Sequence, residues 1–471
     1  MFAAKDYAYS IRLAMIYCLV WFVDFLDATS LNVTLPAIAQ FFQINPAHTE
    51  WAIIGFLLSM TIGMSLSGWL GDHCGTRKIF LLSQCLYIFA TLECGFAFNF
   101  FSLILGRLIQ GFAAGMAIPL GMAALMRAMP QTHWAKTTSI MNMVTLFAPA
   151  LGPIFGTYAT SLIGWRWVFF LKLPICFFCL VLSLLWVRKE ELPPKRDFDW
   201  PGFILGSLSL AGILWMFSEI GKWPHSFLLM VAAGSIFLGV LFILRQNRSR
   251  IPLFPLEIFK IRHFAIGNII QSAANTIFLG ANFIIALYLQ KGLGLDLVAT
   301  GWIMAAVTPG MILVQPFIGN LYNRLGPLPF IIPGLSLLSL SMVALVFTDW
   351  ETSPYLLGFF VFCIGAASGM AQSANVTSIF SCLPHQYKGA GSSLYSLFKQ
   401  ISASFGVAIS TMVLSIGMDM NGLSVIGQNS SSIAIFHACF AVLGSIPALA
   451  LFFCFFIDNK KAVSETKLVD V

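Results

Sequence analysis

Charge is scarce in this sequence. Only 10% of its 471 residues are charged, against 58% that are hydrophobic, and phenylalanine alone contributes 45. A soluble core does not use that much apolar surface, so a water-soluble globular class is excluded. Long polar segments are missing as well: apolar stretches of ~18 residues or more, enough to cross a ~30 Å hydrocarbon layer, recur from end to end and leave no separate domain. Alternating ten-residue strands are absent, which excludes a β-barrel, and hydrocarbon offers no partner to an unpaired backbone amide, which leaves helices. There is no Gly-x4-Gly-Lys-Ser/Thr phosphate loop, so the chain carries no ATP-hydrolysing module of its own. The ten cysteines fall mostly in the apolar runs, and the one close pair, Cys176 and Cys179, lacks nearby histidines or thiols, so they read as small buried hydrophobes. With neither a metal cluster nor a nucleophile and base pair, an enzyme is disfavoured.

What is present is an all-α polytopic membrane protein. Spans are expected at roughly 12–35, 50–71, 79–98, 103–125, 137–161, 165–187, 200–219, 226–244, 264–290, 297–319, 328–348, 353–377, 392–417 and 434–457, fourteen by length and hydropathy. The first runs into Leu31-Asn-Val-Thr-Leu-Pro36 with no small-residue cleavage site, so it is expected to be a retained helix and not a signal peptide. The formal charge of +7 reflects orientation and not a nucleic-acid partner. Numbering the loops from the amino end, the lysines and arginines crowd one side. The opposite loops hold only Arg166, Lys172, Lys222 and Lys291, and Arg107 and Lys399 fall within spans. The positive-inside rule then puts both termini in the cytoplasm.

The chain repeats itself. The second span ends in Gly68-Trp-Leu-Gly-Asp72-His73-Cys-Gly75-Thr-Arg77-Lys78 and the tenth in Gly319-Asn-Leu-Tyr-Asn323-Arg324-Leu-Gly326. Each copy follows the second span of a six-span block. The expected organisation is therefore 1–190, a six-helix half; 191–261, a two-helix insertion with charged cytoplasmic linkers; and 262–471, a second six-helix half with a short cytoplasmic tail.

At this point the sequence resembles the major facilitator superfamily, and more narrowly its fourteen-span drug:proton antiporter group of EmrB-type and QacA-type exporters. The resemblance covers nearly the whole chain and rests on several motifs in order. These are Leu26-Asp27-Ala-Thr29-Ser-Leu-Asn32-Val-Thr34-Leu-Pro36; the Gly68 to Lys78 loop; Leu103-Ile-Leu-Gly-Arg107-Leu-Ile-Gln110-Gly111; Ala148-Pro149-Ala-Leu-Gly152-Pro153-Ile-Phe-Gly156; and Trp165-Arg166-Trp167-Val-Phe-Phe-Leu-Lys172-Leu-Pro174. It implies a 6 + 2 + 6 major facilitator fold in a bacterial cytoplasmic membrane. It also implies proton-driven efflux of small amphipathic compounds by alternating access, with the proton gradient as energy source and no cofactor. In a cell with two membranes it further implies a periplasmic adaptor and an outer-membrane duct. A dedicated exporter of one endogenous metabolite, such as a siderophore, keeps the same fold and composition does not separate the two; a non-transporting receptor or scaffold is disfavoured by the short loops.

Within that frame the candidate residues form three sets. Gly68, Asp72, Gly75 and Arg77 are expected to form a conformational latch, although His73 and Thr76 stand where the family pattern usually has basic residues. Pro149, Gly152, Pro153 and Gly156 are expected to form a bent, closely packed gating seam. Asp24 and Asp27 share one side of the first span, three residues apart, with Thr34 further along that side. A carboxylate there needs a wet cavity, a cationic partner or a proton. Asp27, which matches the motif, is the first choice for proton coupling. Asp24, which does not, is left as a second proton site, a contact for a cationic substrate, or the partner of Arg107.

The central cavity is expected to be lined by Gln110, Gln372 and Asn375 and by an amide stripe, Asn268, Gln271, Asn275 and Asn282, that spans a ~60° arc on span nine. Such amides also serve as glue between helices. Glu93 is expected near the outer surface, and Lys399 is expected to snorkel to the cytoplasm. Trp21, Phe22, Phe25 and Phe278 can stack on a substrate or simply meet lipid.

Overall fold

The computed structural model of the chain describes residues 4–44, 49, 51–129, 131–145, 147–188, 199–218, 223–249, 255–295, 297–420 and 430–457. These are helical almost throughout, and among them eleven helices are long and apolar enough to cross a membrane. The amino-terminal bundle comprises α1 (Ala4–Phe42), α2 (Trp51–Cys74), α3 (Thr76–Phe96), α4 (Phe100–Ala128), α5 (Gln131–Thr145), α6 (Phe147–Leu162), the short α7 (Trp167–Phe170) and α8 (Leu173–Trp186). Next in sequence come α9 (Trp200–Ser218) and α10 (His225–Arg248), which pack on each other. The carboxy-terminal bundle comprises α11 (Arg262–Leu287), α12 (Leu297–Ala305), α13 (Val307–Leu325), α14 (Leu328–Leu345), α15 (Pro354–Ser381), α16 (Lys388–Met420) and α17 (Ser430–Cys454).

Local chemistry sets several of the joints. Gly75 takes φ 93°, a left-handed conformation that a side chain resists, and it lets the chain turn directly from α2 into α3. Gly326, which closes the second copy of the repeated motif, takes φ 79° at the end of α13, so both copies end at a glycine with positive φ. Asn99 caps α4 by accepting the Ser102 amide at 2.7 Å. Asp199 ties α9 to α10: it accepts the Gly202 amide, the Arg245 Nε at 2.7 Å and the Gln246 side-chain amide at 2.8 Å. Most of the first linker, 189–198, lies outside the described residues.

The two bundles meet at one end. There Ser67 and Ser393 share a hydrogen bond of 2.9 Å, the Ser392 hydroxyl donates to the Pro119 carbonyl at 3.0 Å, and the Lys388 ammonium donates to the Met126 carbonyl at 2.9 Å while lying 4.6 Å from the centre of the Trp134 ring. On the far side of the same seam Gly319 of α13 lies against Lys136 and Ser139 of α5. A single apolar cluster runs through this end, joining Met116, Leu120 and Trp134 to Ile379, Phe380, Leu394 and Leu397. Burying such surface is a non-directional attraction of ~25 cal/mol per Å² in water, so this end is closed by packing, with the three polar contacts fixing register.

The latch residues sit in that closure. Gly68 faces Ser393 and Gly389 closely enough that a Cβ would lie 3.0 Å from the Ser393 hydroxyl. Asp72 pairs loosely with Arg127, 3.9 Å apart, and abuts Gly389. Arg77 stays within its own bundle and donates to the Leu184 carbonyl at 2.9 Å. His73 stacks on Trp69, and Thr76 accepts a 2.7 Å hydrogen bond from Arg127. In the seam motif Gly152 is buried where a Cβ would overlap the Thr29 hydroxyl, and Gly156 is buried on the same helix. That permits the close α1 to α6 approach. The side chains of Pro149 and Pro153 lie outside the described residues.

Candidate functional site

A 39-residue helix dominated by apolar side chains, α1, turns its two mid-span acids into its own bundle. Trp21, Phe22, Phe25, Ala28 and Thr29 are the partly exposed positions of this stretch, while Asp24 and Asp27 are 7% and 1% exposed and point into the amino-terminal bundle. An unpaired acid at mid-span costs ~2.5–3.5 kcal/mol on insertion scales, so partners are required.

Asp27 has two. Arg107 of α4 donates from Nη1 to Asp27 Oδ2 at 2.5 Å, and the Lys172 ammonium, just ahead of α8, is ion-paired with Asp27 Oδ1. Arg107 has further partners: Nη1 also donates to Gln110 Oε1 at 2.7 Å, Nε donates to the Ala52 carbonyl at 3.0 Å, and the Phe56 ring lies 4.3 Å from the guanidinium carbon. Gln110 passes the network on by donating to Thr91 at 3.0 Å. Arg107, Lys172 and Gln110 are each 1% exposed or less. Sequence alone assigns Lys172 to an outer loop and Gln110 to the cavity wall; the structure puts both inside this cluster. A signal for Lys172 exists, because it interrupts the apolar run Trp167-Val-Phe-Phe-Leu-Lys172-Leu-Pro-Ile-Cys-Phe-Phe178 without an adjacent acid.

Asp24 makes no ion pair with Arg107, whose short contact is to Asp27. Among the described residues it enters no ion pair, and its Oδ1 is buried without a hydrogen-bond partner. It lines a cavity of about 30 Å³ with Val23, Ser83, Gln84, Tyr87, Cys176 and Cys179. That is room for about one water molecule. One turn of helix thus separates a carboxyl clamped by two cations from a carboxyl that makes no ion pair of its own.

The carboxy-terminal bundle holds an amide cluster in place of charges. Gln271 donates to Gln372 Oε1 at 3.3 Å, and Asn375 donates to the Gly267 carbonyl at 2.8 Å and to Gln271 Oε1 at 3.2 Å. Asn275 donates to the Lys399 carbonyl at 2.7 Å, Asn268 to the Phe264 carbonyl and Asn282 to the Phe278 carbonyl. Asn268, Gln271, Asn275 and Asn375 are buried, so most of the stripe joins α11 to α15 and α16 or folds back on its own helix, and only Asn282 and Gln372 keep partly exposed faces. The stripe expected to line a cavity therefore points largely into packing, because α11 is flanked there by two helices.

Lys399 does not snorkel. Its ammonium lies 4.6 Å from the centre of the Trp21 ring, across the gap between bundles. Glu93 is half-buried and accepts the Ser102 hydroxyl at 2.7 Å near the α3 to α4 connection.

The description "Major Facilitator Superfamily" fits this sequence over residues 17–407 and again over 264–470. The chain belongs to that superfamily. It is a multi-pass membrane transporter of small molecules and not an enzyme. It is 27% identical over 447 residues to "Putative multidrug resistance protein MdtD" of Salmonella heidelberg (strain SL476), covering 92% of this chain and 93% of that one. It is 27% identical over 410 residues to "Probable transport protein HsrA" of Haemophilus influenzae, covering 86% and 88%. The fold matches the human organic anion transporter MFSD10 (TETRAN) with a TM-score of 0.67 at 13% identity, over 94% of this chain and 99% of that one. It matches the proton:xylose symporter XylE with a TM-score of 0.64 at 14% identity, over 98% and 99%. At those identities the two structures speak for the fold alone.

Proposed function

We propose that this superfamily member is a proton-coupled exporter of small amphipathic compounds, of the fourteen-span EmrB/QacA type, with six-helix halves, a two-helix insertion, and both termini on the cytoplasmic side of a bacterial inner membrane. Helices run through all fourteen expected spans, which supports the count. In a two-membrane host the EmrB likeness extends the proposal to a periplasmic adaptor and an outer-membrane duct. The closed end carries the Gly68 to Lys78 loop, so on this orientation the conformation is shut toward the cytoplasm.

The observation that carries the coupling is the buried carboxyl of Asp24, in no ion pair and with Oδ1 unbonded, one turn from the Asp27, Arg107 and Lys172 cluster. Both oxygens of Asp27 are engaged by cations, so the carboxyl suited to exchanging a proton is Asp24, with Asp27 fixing the field around it. The titratable or charged groups nearby are Asp27, Arg107, Lys172, Tyr87, Cys176 and Cys179. Proton arrival at Asp24 from outside removes one negative charge from the cluster, and that change biases the packing of α1 on α4, the helix whose far end takes part in the closure. Proton loss inside accompanies capture of the next substrate.

The test is proton release from acid-loaded everted vesicles, read by a pH-sensitive dye as candidate substrates are added, together with substrate-for-substrate exchange. Asp24→Asn is expected to abolish proton release while exchange continues; Asp27→Asn is expected to lose both. Unchanged proton-driven transport in Asp24→Asn would remove Asp24 from the mechanism.

A further inference from the structure

We infer that the substrate site is built for an amphipathic organic anion: a flat aromatic body stacked on Trp21 and Phe25 of α1, with its acid group on Lys399 of α16. This rests on the transport reading above and adds to it the sign of the cargo's charge.

Placement comes first. The last cross-bundle hydrogen bond of the closed end is made by Ser393, and Lys399 follows six residues later, ~9 Å further along the helix at 1.5 Å per residue. From the start of α16 at Lys388 it lies ~16 Å in, about half the thickness of a ~30 Å hydrocarbon layer. Its backbone is fixed by Asn275, and its side chain reaches across to the other bundle. Lys399 therefore stands beyond the hydrogen-bonded seam, where α16 meets α1 through the Lys399 to Trp21 contact and both side chains are partly exposed.

The electrostatics follow. Asp24 and Asp27 are buried inside the amino-terminal bundle, and the two cations there are consumed by Asp27 and by polar partners, so that cluster presents no accessible acid to the gap. Lys399, by contrast, is partly exposed. Among the described residues its ammonium has no carboxylate and no hydrogen-bond acceptor, only the face of Trp21. A lysine in the middle of a span that no acid neutralises is a functional-site candidate by default. A π-face holds an ammonium in place without neutralising it, and it leaves the N–H groups that point away from the ring free for an incoming acceptor. Trp21 and Phe25 stack on each other with ring centroids 5.0 Å apart, both partly exposed, and extend an aromatic surface away from the ammonium. An anionic headgroup satisfies the lysine, and an aromatic body satisfies the two rings. A cation of the same shape would meet an unscreened like charge.

The experiment uses the purified full-length chain in lipid nanodiscs and two isosteric probes of fixed, opposite charge: naphthalene-2-sulfonate and 2-naphthyltrimethylammonium. Binding is measured by calorimetry. Wild type is expected to bind the sulfonate at least tenfold more tightly than the ammonium. Lys399→Gln is expected to lose at least tenfold in sulfonate affinity and to erase the preference, whereas Lys399→Arg keeps sulfonate binding within threefold. Trp21→Leu is expected to weaken both probes. Thermal unfolding of each variant reports whether the fold is kept, and the arginine variant keeps the test open if the glutamine variant does not fold. No sulfonate binding by wild type, equal affinity for both probes, or an unchanged preference in folded Lys399→Gln overturns the assignment. Sulfonate that binds with this pattern but drives no proton movement in everted vesicles would instead overturn the transport reading and leave the site standing.

Discussion

The two bundles bury polarity of different kinds. Where α1 and α4 meet in the first, the buried polar groups are ions: Asp27, Arg107 and Lys172 with Asp24 beside them. Where α11 and α15 meet in the second, they are amides: Gln271 and Asn375, with the partly exposed Gln372 at their edge. Neutral amides hold helices together at any pH and respond little when a proton arrives. An ionic cluster with one acid outside its ion pairs does respond, and it is strongly asymmetric to damage, because removing one partner leaves the others charged and buried. The likeness in fold thus hides a division of labour in which one bundle senses and the other holds.

That contrast can be broken or sharpened by mutation. The largest effect is expected from Asp27→Ala, which orphans Arg107 and Lys172 together: about 3–5 kcal/mol of stability lost in chemical unfolding from mixed micelles. Adding Lys172→Met to it should restore part of that loss, and strict additivity of the two changes would mean that the three groups do not act as a unit. Next comes Lys388→Met at the closed end. Removing a charged donor from the Met126 carbonyl is worth about 1.5–3 kcal/mol, so the open fraction should rise about tenfold or more, read as faster thiol labelling of a cysteine placed at Ser393. Gln271→Leu in the amide cluster should cost only about 0.6 kcal/mol, and not above about 1.7, with proton coupling intact. A loss as large as that of Asp27→Ala would erase the distinction between the bundles. Asn282→Ala, whose amide bonds only its own helix, should stay within about 0.5 kcal/mol of wild type.

Much of this is legible from residue order. Hydropathy places the helices, and the acids of the first span stand out because a charge in an apolar run has to be accounted for. The glycine-closed motifs predict two turns that both take positive φ, at Gly75 and Gly326. What spacing does not encode is the neighbour. Asn268, Gln271, Asn275 and Asn282 do share an arc, but the arc faces α15 and α16 more than a cavity, and periodicity has no means of telling one from the other. Charge counting misplaces Lys172 because it assigns every lysine near a span end to water, whereas a fully buried ammonium needs only one well-aimed acid from another helix. Lys399 is misplaced for the complementary reason: snorkelling is the default when no partner is visible, and the face of Trp21 comes from the opposite end of the sequence.

The four-group cluster also has an electrical consequence. With Asp24 ionised, two acids and two bases sum to no net charge; with Asp24 protonated, the cluster carries one positive charge in the middle of the hydrocarbon layer. The transmembrane voltage acts on that charge at about 2.3 kcal/mol per 100 mV for a full crossing, and on the empty cluster hardly at all. The proton-loaded and proton-free steps of the cycle should therefore differ in voltage sensitivity, and an inside-negative cell would pull the loaded form inward without any further structural device.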